Sequence, residues 1–309
     1  MRKVKDFYII GIDHGYGNIK TANCCFPTGV VASDTVPTFT GDLLRWNNKY
    51  YSIGVGHKEF LGDKFMDNDY YVLTLAAIAR ELKRERITTA KVFIAAGLPL
   101  SWVGRQKKTF IKYLLQNRTV SFSFRKVQYQ IEIIGADVYP QGYAAIVERM
   151  EQFNSSHMIC DIGNGTLNLL RLENQTPDVA SIITEKYGVY QCMLAIREQM
   201  MRIHHAVPSE TAITNILKKG KADIAPDYLE TIVSTAREYT AGIFRILRER
   251  GYDPKLMNLY VVGGGCCLIK NFGEYDKRRA FINPDSAPMQ RAMNTWRLPL
   301  SEKRMGSDE

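Results

Sequence analysis

Residues 6–20 read DFYIIGIDHGYGNIK, and residues 157–173 read HMICDIGNGTLNLLRLE. Each stretch starts as a β-rich apolar run and ends in a carboxylate, Asp13 or Asp161. Each then makes a short Gly-containing turn, Gly15-Tyr16-Gly17-Asn18 or Gly163-Asn164-Gly165-Thr166, and returns as a second apolar run. Two such runs around a tight turn read as a β-hairpin. The second copy lies about half a chain length after the first. A repeat at that distance predicts two related lobes.

The turns carry the chemistry. A turn with glycine lets backbone N–H groups converge on a phosphate, because no Cβ blocks the approach. An aspartate at the end of the preceding strand is placed to hold a hydrated Mg²⁺ beside those phosphates. One such turn is an ordinary hairpin as often as not. Two in repeat, followed by a third glycine element, are not. That third element is the apolar run 257–262 (MNLYVV), then Gly263-Gly264-Gly265 opening into a helix.

Other nucleotide motifs fail. The dinucleotide pattern G-x-G-x-x-G needs a glycine where Leu268 stands after Gly263, and where Lys20 stands after Gly15. No G-x-x-x-x-G-K-[ST] occurs, which excludes a P-loop.

In this order and separation the motifs resemble the actin/Hsp70/sugar-kinase ATPase superfamily. The first phosphate motif is matched by Asp13–Lys20, the second by Asp161–Thr166, and the adenosine motif by Val261–Gly265. More narrowly, the D-x-G-x-x-N-I-K form of Asp13–Lys20 is similar to the bacterial actin-like ATPases of plasmid segregation, the ParM/StbA type. Leu98-Pro99-Leu100 before a basic helix, and Val138-Tyr139-Pro140 at the interlobe junction, also resemble that group.

The resemblance implies an α/β fold of two lobes, each a mixed sheet with flanking helices, with the nucleotide in the cleft between them. It implies lobe I over about 1–156, with a small insert near 36–66 and a C-terminal helix (287–309) packed back on it. Lobe II spans 157–286, with a subdomain near 200–252. It also assigns roles. Asp13 and Asp161 hold Mg²⁺ through water and help place the attacking water. Lys20 contacts the phosphates. The amides of Gly15, Tyr16, Gly17 and Asn18, and of Gly163, Asn164 and Gly165, clamp the β- and γ-phosphates, with Thr166 helping. Gly263, Gly264 and Gly265 lie against the adenosine and its α-phosphate. Phosphoryl transfer needs charge neutralisation and positioning more than covalent help, and these parts supply both.

One position departs from the pattern. ParM-like proteins carry a Glu after the junction proline to polarise the attacking water, and this chain has Gln141. A Gln orients water but is no base near neutral pH. Slow, assembly-coupled hydrolysis is the expectation. The implied cofactors are ATP, with GTP left open, and Mg²⁺. The implied partners are further copies of the chain in a filament and a DNA-bound adaptor of the ParR type, with plasmid DNA reached indirectly and no membrane.

Composition fits this picture. The 309 residues are 45% hydrophobic and 24% charged, which excludes disordered and collagen-like classes. A net charge of +9 favours an acidic partner, and a basic, non-catalytic DNA-binding protein is one rival reading. A small-molecule kinase on the same fold is the other. It needs a carboxylate base, and Asp137 is the only acid near the junction. Six cysteines make no C-x-x-C, and Cys160 and Cys266 read as buried thiols. No run of 18 apolar residues occurs, and a cytoplasmic protein is expected.

Between the motifs, periodicity predicts one return strand over 19–26 and helices over 67–84, 103–117 and 143–152. It predicts strands over 91–97 and 119–138, and helices near 189–205, 208–219, 226–249 and 287–296.

Overall fold

The computed structural model describes residues 1–38, 41–56, 64–141 and 146–283. They form two compact units, one within Met1–Glu148 and one within Arg149–Ser286. The expected C-terminal helix, parts of the 36–66 stretch and the start of the 143–152 helix lie outside the described residues.

The first unit is built on strands β1 (Arg2–Val4), β2 (Phe7–His14), β3 (Asn18–Lys20), β4 (Cys25–Pro27), β5 (Val30–Ser33), β6 (Asp42–Trp46), β7 (Lys49–Ile53), β8 (Thr89–Leu98), β9 (Thr119–Phe124) and β10 (Val127–Pro140). They form one mixed sheet in the order β4-β3-β2-β8-β10-β9-β6-β7-β5, with β1 paired to β2. The centre is parallel: β2 pairs with β8, and β8 with β10. β2 and the second half of β8 are apolar and buried almost throughout because both faces are covered. The β9–β10 pair alternates instead, and turns through Arg125 and Lys126, both at positive φ, as a two-residue hairpin requires.

Helix α1 (Asp69–Arg84) is buried on nearly every side, with Tyr70, Tyr71, Leu73, Leu75 and Ile78 all in the core. A helix apolar all round belongs inside. Helix α2 (Val103–Leu114) stops three residues short of expectation, where Leu115 N closes on Ile111 O at 3.0 Å.

The expected single strand over 19–26 is broken into β3 and β4. The break has a cause in Glu81 of α1, a buried carboxylate. It accepts from Thr21 Oγ1, from Asn23 N at 3.0 Å and from Asn23 Nδ2 at 2.8 Å. Its pull bends the chain at Thr21–Cys24. Burial acts to raise the Glu81 pKa, but the bonds from Thr21 and Asn23 and the Met1 ammonium bring it below the ordinary value.

The second unit has the sheet order β13-β12-β11-β14-β15, from β11 (Ser156–Ile162), β12 (Leu167–Glu173), β13 (Thr176–Glu185), β14 (Asn258–Val262) and β15 (Ala280–Ile282). Around it lie α3 (Val189–His204), α4 (Glu210–Lys219), α5 (Pro226–Glu249) and α6 (Cys266–Phe272). The described part of the expected 143–152 helix ends as a 3-10 turn at Val147–Gln152 rather than as α-helix. Phe153 N bonds Met150 O at 3.0 Å, and the Phe153 ring then packs edge-on to His157 and Tyr260. Cys160 and Cys266 are buried and unpaired, as expected. Asn271 of α6 donates through Nδ2 to Leu217 O and Lys218 O, satisfying carbonyls at the end of α4.

Both sheets repeat one device. A central strand ending in aspartate (β2, β11) has its antiparallel return strand on one side (β3, β12) and a parallel strand on the other (β8, β14). No described helix is long and apolar enough to cross a membrane.

Candidate phosphate-binding site

The first half-site stands at the end of β2. Asp13 is 5% exposed and pairs in register with Lys20 on β3 and Gly97 on β8. Lys20 Nζ lies 3.9 Å from Asp13 Oδ2. Gln141 follows β10. Its backbone N donates to Leu98 O at 2.8 Å, and its Nε2 donates to Asp13 Oδ1. The Gln side chain reaches Asp13 across β8 close over Gly97, where a Cβ would sit 3.1 Å from Gln141 Cγ and crowd it. Sequence reasoning singled out Asp13, Lys20 and Gln141, and the structure brings them together. It missed Gly97, whose role depends on a neighbour 44 residues away.

The turn after Asp13 is held from the protein side. Thr28 Oγ1 donates to Gly15 O at 2.9 Å, and Thr28 N to Gly17 O at 3.1 Å. Lys64 Nζ donates to His14 O. Lys64 is 1% exposed, with Tyr16 and Tyr70 rings 4.8 and 5.5 Å from its ammonium. Burial pushes its pKa down to about 8, against the opposing pull of Asp13. His14 is fully buried. Its Nε2 meets Thr74 Oγ1 at 2.8 Å, and Thr74 Oγ1 itself donates to Tyr70 O at 2.6 Å, so the imidazole proton sits on Nε2. Burial, then the charge of Lys64, push the His14 pKa down to about 3. Neither His14 nor Lys64 was singled out from sequence.

The second half-site stands at the end of β11. Asp161 is 6% exposed and pairs in register with Asn168 on β12 and Val262 on β14. Gly163 N donates to Thr166 O at 2.8 Å, closing the turn on itself. The amides this turn can offer a phosphate are therefore those of Asn164 and Gly165. Its carbonyls are bound by main-chain donors: Ile162 O by Gly265 N at 2.8 Å, Gly163 O by Val189 N at 3.1 Å, and Asn164 O by Tyr190 N at 2.8 Å. Asn168 Oδ1 accepts from Thr184 Oγ1 at 2.8 Å. Of the glycine triplet, Gly263 and Gly265 press against Ile162, while Gly264 has nothing within 4 Å of its Cβ direction. A groove of about 740 Å³ runs along α5 and the end of α6, lined by Arg237, Glu238, Phe244, Arg248 and Glu274 among others.

Asp13 and Asp161 supply the hard oxygen donors that Mg²⁺ prefers, and both are largely withdrawn from solvent. Each aspartate, within its own unit, is a donor of the kind that ion takes; among the described residues no cluster of three or more such donors forms. Asp137, the acid a kinase would need as a base, is already engaged. It accepts from Lys107 Nζ at 2.7 Å, Val138 N at 2.8 Å and Tyr139 OH.

Residues 11–143 match the family described as actin like proteins N terminal domain. No curated protein sequence matches the chain. Several solved structures share its fold. The apo pSK41 ParM protein is 13% identical with a TM-score of 0.69, covering 96% of this chain and 99% of that one. An archaeal actin homolog in complex with ADP is 18% identical with a TM-score of 0.68, covering 93% and 97%. The Alp12 filament is 15% identical with a TM-score of 0.65, covering 96% and 99%. Identities this low speak for the fold alone. By that fold and by its matched N-terminal region, the chain is similar to actin-like proteins, the ParM and Alp proteins among them.

Proposed function

We propose that the chain binds a nucleoside triphosphate, ATP first among them, and hydrolyses it slowly in step with assembly into filaments. One observation carries the reading: the same strand–aspartate–turn–strand device in both sheets, with turn carbonyls bound from behind. In a trans peptide the N–H points opposite its C=O, so binding of the Gly163 and Asn164 carbonyls turns the Asn164 and Gly165 amides away from those donors. The two turns serve the phosphates of one nucleotide, with Asp13 and Asp161 holding Mg²⁺ through water. The glycine triplet takes the nucleoside end. The proposed lobes are residues 1–156 and 157–286. The assembled protein moves plasmid DNA in the cytoplasm through an adaptor of the ParR type. A relative solved as a filament and another solved with ADP support the reading.

Sedimentation with ATP, with ADP and without nucleotide tests it. Pelleting is expected with ATP only, and equal pelleting in all three sinks the proposal. Hydrolysis adds a second expectation. Gln141 touches Asp13 and can orient a water, so Gln141→Ala lowers the phosphate-release rate roughly 100-fold. ATP affinity stays within a few fold, as a titration will show. A variant that hydrolyses like the parent removes Gln141 from the reaction.

A further inference from the structure

The two phosphate turns are held by different means. When the turns are aligned on Asp13 and Asp161, His14 matches Ile162 and Gly15 matches Gly163. In the second turn both carbonyls accept main-chain N–H groups, from Gly265 and Val189. In the first turn both accept side chains, Lys64 Nζ at His14 O and Thr28 Oγ1 at Gly15 O. Lys64 thus stands where the N-terminal end of α6 stands in the other unit, since Gly265 is the N-cap of α6.

We infer that Lys64 is a positioning residue for the triphosphate: its ammonium fixes the His14 carbonyl and sets a buried positive charge beside the first turn. This rests on the nucleotide reading above. Three features carry it. The ammonium is 1% exposed, so its field is little screened by water. Its hydrogen-bond acceptor among the described residues is one carbonyl, backed by two aromatic faces. A buried cation so thinly solvated is costly; Asp13 offsets part of that cost, and a phosphate at the turn would offset more. Lys64 also precedes α1 in the chain and lies 50 residues from His14, so local structure does not demand it there.

The test is a calorimetric titration of ATP, ADP and adenosine into the parent protein, Lys64→Met and Lys64→Arg, with Mg²⁺ present. Lys64→Met is expected to bind ATP and ADP at least tenfold more weakly while holding adenosine within threefold. Lys64→Arg, which keeps donor and charge, recovers most of the loss. Unchanged ATP affinity in Lys64→Met overturns the inference and leaves the nucleotide reading standing. An equal loss for adenosine also overturns it, because the defect is then general. A parent protein that binds no nucleotide overturns the reading and the inference together. If Lys64→Met does not fold, Lys64→Gln set against Lys64→Arg decides by the same ratios.

Discussion

Gly263→Ala is expected to destroy the second half-site. Gly263 sits at φ +90°, where an L-residue is strained whatever the space around it. Space is also lacking. A Cβ there falls on Asp161 Oδ1, and lies 2.5 Å from Ile162 O and 3.0 Å from Ile162 C. Two of these atoms are backbone of the strand that carries Asp161, so they cannot yield as a flexible side chain would. Either the Gly265–Ile162 bond breaks or the Asp161 carboxylate is pushed aside. Strain and overlap together cost about 3 kcal/mol or more. Nucleotide affinity should fall at least a hundredfold. Gly264→Ala is the control, because nothing lies within 4 Å of the added methyl and φ is not positive. Denaturant melts of both variants, with an ATP titration, check the claim. A Gly263→Ala protein as stable as Gly264→Ala refutes it.

The second large effect is on acid stability. His14 has an ordinary pKa of 6.5 in an unfolded chain and about 3 in the fold, because burial and Lys64 disfavour its charged form. Between those values the unfolded state holds a proton that the native state lacks. Stability is therefore fully present above pH 6.5 and falls as the pH drops towards 3. One such group contributes a slope of about 1.4 kcal/mol per pH unit, or about 5 kcal/mol over the whole window. His14→Gln keeps a donor for Thr74 Oγ1 but does not titrate there. Unfolding free energies at pH 7.5, 6 and 5 should show the parent losing its advantage by about that slope below 6.5. A difference that stays constant with pH would show that His14 is accessible to protons in the native state.

Much of the fold was legible because its signals are local. β12 and α5 fall where alternation and the 3.6-residue stripe put them, and both phosphate turns lie between the strands that their apolar runs announce. β13 was missed because its burial shows no alternation along an edge strand, although Asn174-Gln175, both at positive φ, was a hairpin signal in plain view. β15 is three residues long, too short for any period. The half-sites divide in the same way. Asp13, Asp161 and the turn glycines sit inside a pattern. Gly97, Lys64 and Glu81 do not, because each matters through a partner more than 40 residues distant. A lysine in the stretch LGDKF reads as a surface charge until His14, Tyr16 and Tyr70 are known to enclose it.

The contrast between main-chain and side-chain anchors bears on how each turn tolerates mutation. A donor on the backbone survives every substitution except proline, so positions 189 and 190 keep hold of the second turn whatever side chains they carry, provided their chain path is kept. Position 265 is the exception, because a Cβ there would lie 2.7 Å from Val189 Cγ2 and 3.0 Å from Ile162 O. The first turn enjoys no such immunity. Its hold passes through the ammonium of Lys64 and the hydroxyl of Thr28, both of which a single codon change removes. A saturating mutational scan for nucleotide binding should therefore be lopsided. Around the first turn, intolerance will extend to two side chains outside the motif. Around the second, positions 189 and 190 will accept broad variation and refuse only proline, while position 265 stays glycine.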